Sequence, residues 1–69
     1  MGTMRYPTHD AVAKLWKDAD QTVRERLCEL AGLKRDIANY YWGPLSWYVR
    51  EKLFEAANGP KFDPPAPQK

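Results

Sequence analysis

Hydrophobic positions recur at helical spacing through most of the chain, in blocks separated by polar or helix-breaking residues. In the first block Ala11, Val12, Leu15, Trp16 and Ala19 share a face. Thr8 can cap this block and Asp10 suits its first turn, which predicts a short helix over roughly residues 9–18. Val23, Leu27, Leu30 and Ala31 form a second stripe behind Asp20, a good N-cap, with Cys28 at the stripe's edge. Gly32 stands where a left-handed C-cap residue belongs, and Leu33 can fold back on the last turn. Asp36 then predicts a capped third helix through Ile37, Ala38, Asn39, Tyr40 and Tyr41, stopped by Gly43-Pro44, because the residue before a proline is driven out of the α region. A fourth helix starts at Pro44 or at a Ser46 cap, carries Leu45, Val49, Leu53 and Ala56 or Ala57 inward, and closes at Asn58-Gly59-Pro60.

These blocks predict an all-α fold, a small three- to four-helix bundle. Residues 8–59 form the helical domain, with a flexible N-terminus over 1–7 and a disordered proline-rich tail over 60–69. One internal similarity runs through it. Trp16, Asp20 and Val23 to Leu27 recur as Trp42, Ser46 and Val49 to Leu53 at a constant offset. Either the two segments pack as pseudo-equivalent helix pairs, or amphipathic helices have reused common residues.

A chain of 69 residues buries only about 60% of its unfolded surface, and small scaffolds add disulfides, a metal or a second subunit. Cys28 is the sole cysteine and His9 the sole histidine, so neither an internal disulfide nor a Cys/His metal site is available; no metal and no cofactor are expected. A homodimer is the remaining device. No apolar run approaches bilayer length and no signal-peptide centre is present, which leads to a cytoplasmic expectation with no membrane partner. The net charge of +2 sits in the terminal segments: between Thr8 and Gly59 eight cations face eight anions. A neutral frame is weak equipment for a phosphate backbone.

Catalysis has little support. Cys28 lacks an identifiable activating base and reads as a small buried residue, His9 reads as solvated, and Ser46 is already a cap. The informative stretch is Tyr40 to Tyr48, which holds five of the nine aromatic residues. Trp16 and Trp42 lie beside the apolar stripes and belong to the core. Tyr40 and Tyr41 are adjacent, so at least one presents its ring outward. If Leu45, Val49 and Leu53 face inward, Trp47 falls on another side, and Phe54 lies next to the stripe. Trp47 is then a partner contact, or it packs on the first helix or in a dimer seam. Arg50 either pairs across an interface or lies on a solvated helix face.

The stretch from Arg26 to Ala57 resembles a helix-turn-helix domain of the phage-repressor kind. Leu30-Ala31-Gly32-Leu33 looks like the turn, Ile37 to Gly43 like the recognition helix and its terminating glycine, and Ser46 to Ala57 like the following helix; the segment between Gly32 and Gly43 is one residue short. In that family the third helix reads base edges, which would give Lys34, Arg35 and Asn39 DNA contacts. Ile37, Tyr40, Tyr41 and Trp42 suit a protein surface better, since Tyr and Trp carry hot spots of about 2 kcal/mol or more.

In size, helical pattern, acid–base balance and the Tyr40 to Tyr48 segment, the chain also looks similar to the small anti-quorum-sensing, anti-activator proteins of Mu-like Pseudomonas phages. That resemblance implies a helical homodimer that binds a host autoinducer-dependent transcription activator and blocks it, and that also inhibits the ATPase of type IV pilus assembly. Tyr40, Tyr41, Trp47 and Arg50 are the expected contacts.

Overall fold

A computed structural model describes residues 5–63. They form three α-helices and a 3-10 helix: α1 (His9–Asp18), α2 (Gln21–Ala31), the 3-10 helix (Arg35–Asn39) and α3 (Trp47–Ala57). All three α-helices start where the capping residues predict. The side chains of Thr8, Asp20 and Ser46 accept from the backbone N–H groups of Ala11, Val23 and Val49, each satisfying one donor that the helix leaves unpaired. Gly32 ends α2 with φ of 74°, a left-handed conformation that a Cβ would penalise. Leu33 N–H then returns to the Cys28 carbonyl at 2.8 Å.

α3 packs on both α2 and α1, and the 3-10 helix packs on α2. The core they enclose holds Val12, Leu15 and Trp16 of α1, Leu27 and Cys28 of α2, and Leu53 and Ala57 of α3. Ala38 and Leu45 complete it from the connection, and Phe62 from beyond the last helix. No helix among the described residues is long and apolar enough to cross a membrane.

The repeated sequence segments share several contacts, although Trp16 lies within α1 and Trp42 in the irregular connection before α3. Asp20 and Ser46 cap helices of 11 residues each, and Leu27 and Leu53 are both fully buried. Arg24 lies over the Trp16 ring at 5.5 Å and Arg50 over the Trp42 ring at 5.8 Å. Each arginine also donates from Nη2 to the carbonyl just after its tryptophan, Lys17 at 3.4 Å and Gly43 at 2.7 Å. The two tryptophans meet with ring centroids 6.3 Å apart. The copies differ at the arginine Nε: Arg24 Nε donates to the Trp16 carbonyl, whereas Arg50 Nε is buried without a partner. The Trp42 carbonyl is taken instead by Leu45 N–H at 3.1 Å, in the turn through Pro44.

Two expectations need correction. The third helix is a five-residue 3-10 helix, it follows Lys34 with no side-chain cap bond, and it ends before Tyr40. Tyr40 is extended, with φ of −100° and ψ of 149°, and its carbonyl accepts the indole N–H of Trp16 at 2.8 Å. A buried indole needs such an acceptor, and the extended Tyr40 presents its carbonyl to it. Parts of the segments read as flexible ends also belong to the folded unit. Phe62 is 1% exposed, and its carbonyl accepts from Arg5. The Asn58 side chain clamps Tyr6 at both backbone atoms, 2.9 Å to its N–H and 3.0 Å to its carbonyl. Residues 1–4 and 64–69 lie outside the described residues.

Candidate functional site: an aromatic surface around α1 and the start of α3

The connection from Tyr40 to Ser46 is held at three points: Trp16 binds the Tyr40 carbonyl, Leu45 is buried, and Arg50 binds the Gly43 carbonyl. With the backbone fixed this way, Trp42 packs against the core and the tyrosines beside it point outward. Tyr40 is 52% and Tyr41 78% exposed. At the start of α3, Trp47 is 68% exposed and Tyr48 63%. Tyr48 was not singled out by the sequence pattern, although it follows Trp47 directly and lies, like Trp47, off the Leu45, Val49 and Leu53 stripe. These four rings are the exposed large hydrophobic side chains among the described residues.

His9, read as solvated from its position in the first turn, is half-buried and packed on one side. Its ring stacks on Phe54, with centroids 4.5 Å apart and planes at 23°, and meets Trp47 at 5.2 Å. Nε2 lies 3.0 Å from a Glu51 carboxylate oxygen. The histidine therefore joins the first turn of α1 to α3 and supports one side of Trp47. Lys52 sits 5.6 Å over the Tyr48 ring, a cation–π contact that leaves much of the ring open. Trp42 is half-buried against the core rather than enclosed like Trp16.

Arg50 is occupied within the chain, covering Trp42 and bonding Gly43. It acts as a brace for the aromatic connection and not as a free cation. The DNA-reading positions fare similarly. Arg35 Nη2 pairs with Glu29 at 2.7 Å; that hydrogen bond, then the charges of Glu29 and Glu25, raise its pKa. Asn39 accepts from Gln21 at 2.9 Å. Lys34 remains exposed. Of the Ile37 to Gly43 segment likened to a recognition helix only Ile37 to Asn39 is helical, as the end of the 3-10 helix, too short to lay a row of side chains along a major groove.

Cys28 is fully buried, and burial, with the Glu25 charge adding, pushes its thiol up from 9.0 to about 11. It supplies almost no thiolate near neutral pH. The arrangement is suited to contact chemistry: rigid rings with polar tips on a charge-balanced frame. Comparisons with protein-family models, curated proteins and solved structures match nothing to this chain.

Proposed function

We propose that the chain is a small inhibitory binding protein, acting as a homodimer in the host bacterial cytoplasm, that engages an autoinducer-dependent transcription activator and blocks it. The type IV pilus assembly ATPase is a second target. The observation that carries the binding role is the exposure of Tyr40, Tyr41, Trp47 and Tyr48 on elements whose backbones are pinned. Pre-set aromatic side chains lose little entropy on binding and are the residues that most often dominate protein interfaces. The choice of targets rests on the resemblance of the Tyr40 to Tyr48 segment to phage anti-activators.

Binding of the purified activator and of the purified ATPase to the immobilised chain tests this reading. Wild type should capture the activator in both its free and its DNA-bound assays, displacing it from its operator. Trp47→Ala and Tyr41→Ala should lose capture while keeping the wild-type helical signal. A wild-type chain that binds neither target, or variants that bind as wild type does, would sink the proposal. Sedimentation equilibrium of the chain alone decides the dimer.

A further inference from the structure

A groove of about 590 Å³ lies between α1 and the aromatic connection. Tyr41 and Trp42 form its apolar wall above the buried Trp16, while Lys14, Lys17 and Arg24 stand at its rim with Asp18 as the one acid. Lys14 and Lys17 are exposed and enter none of the ion pairs among the described residues. Arg24 is fixed by its bonds to the Trp16 and Lys17 carbonyls. The rim is thus net positive although the frame as a whole is neutral, so the local charge is a property of this groove. The groove also adjoins the exposed rings. His9, Ala13 and Lys17 lie along one ridge of α1 at helical spacing; His9 touches Trp47 at one end, and Ala13 and Lys17 line the groove at the other.

We propose that this groove takes a peptide segment of the partner in which an apolar side chain is flanked by carboxylates. The apolar anchor lies against Tyr41 and Trp42, and the flanking acids meet Lys14 and Lys17. The inference builds on the reading of the chain as a protein-binding module, and it specifies the chemistry of the segment that is bound. Stacked nucleotides would also use aromatic and basic groups. Here, however, Asp18 stands at the rim with Asp20 close behind in sequence, and a single groove of this volume suits one or two side chains. A phosphate backbone requires a longer basic track.

Titration of the isotope-labelled full chain with three probes, followed by NMR, tests the assignment. The probes are a short peptide with a central Leu between pairs of Glu, its counterpart with Lys in place of Glu, and oligo-dT. The Glu-flanked peptide should shift the Trp42 indole and the Lys14 and Lys17 amides saturably, and bind at least about tenfold more tightly than the Lys-flanked peptide. Lys14→Glu/Lys17→Glu, both at exposed positions, should reverse that preference with an unchanged circular-dichroism spectrum. No saturable shift with the Glu-flanked peptide, equal binding of the two peptides, no reversal in the charge variant, or tighter binding of oligo-dT would each overturn it. The titration uses no activator. A chain that captures no activator yet shows the charge-dependent peptide binding would uphold the groove and remove only the functional proposal.

Discussion

Phe62 belongs to no helix, yet it is almost as buried as Leu27 and Leu53. Its ring closes the core, and Arg5 holds its carbonyl. Replacing a buried Phe by Ala costs about 3–5 kcal/mol, a large part of the stability of a domain this small. Phe62→Ala should therefore be largely unfolded at room temperature, as read by circular dichroism and urea titration. Cys28 gives a second residue-level expectation. Its folded pKa is raised, to about 11, so the protonated thiol favours the folded state below the ordinary pKa of 9.0 and that contribution is lost as pH rises toward 11. Urea midpoints should fall between pH 9 and 11 in wild type and fall less in Cys28→Ala. Native protein should resist thiol alkylation at neutral pH until it is unfolded. Nothing in the sequence around Phe62 marked it as core, because a lone ring among prolines has no periodicity to reveal the face it occupies.

At the scale of elements, the internal repeat explains how two short helices are oriented. Arg24 and Arg50 each tie the first turns of their helix to the tryptophan ahead of it, by one cation–π contact and by bonds to carbonyls. Arg24→Met and Arg50→Met should each cost about 1–2 kcal/mol, from the lost charged hydrogen bond and ring contact. Arg50→Met should in addition release the Tyr40 to Ser46 connection, seen as a red shift and greater quenching of Trp42 fluorescence. The unpaired Arg50 Nε softens the first loss, since methionine removes that buried donor too. The helix starts were legible because Thr8, Asp20 and Ser46 act through bonds to residues three positions on. The 3-10 helix was not legible as such. Just past its end the Trp16 indole binds the Tyr40 carbonyl, a contact between residues 24 positions apart that no local pattern reveals.

For the molecule as a whole, the decisive feature is that a core enclosed by three short helices leaves four large rings outside. Exposed side chains contribute little to folding, so Trp47→Ala and Tyr41→Ala should change stability by no more than about 0.5 kcal/mol. The small contact of Trp47 with His9 puts its effect at the upper end of that range. Affinity for the partner should fall by roughly thirtyfold or more for each, in line with about 2 kcal/mol at a hot spot. Thermal melts and binding measured on the same preparations check both halves. His9→Ala removes the stack on Phe54 and the bond to Glu51; it should cost about 1 kcal/mol and loosen the Trp47 ring without exposing a new face.

The sequence by itself determined the all-helical class, the starts of the three α-helices, the glycine stop after α2, and the surplus of aromatic residues between Tyr40 and Tyr48. Each of these is written in local spacing: a cap acts three residues away, a stripe repeats every turn, and adjacent residues cannot share a face. Tertiary structure decided what distance in sequence conceals. It buried Phe62 and tied Tyr6 to Asn58, drew His9 onto Phe54, occupied Arg50, Arg35 and Asn39 with partners inside the chain, and added Tyr48 to the exposed rings. The physical reason is that a side chain's partners are chosen by packing between elements, and the hydrophobic pattern of any one element specifies a face without specifying what meets it.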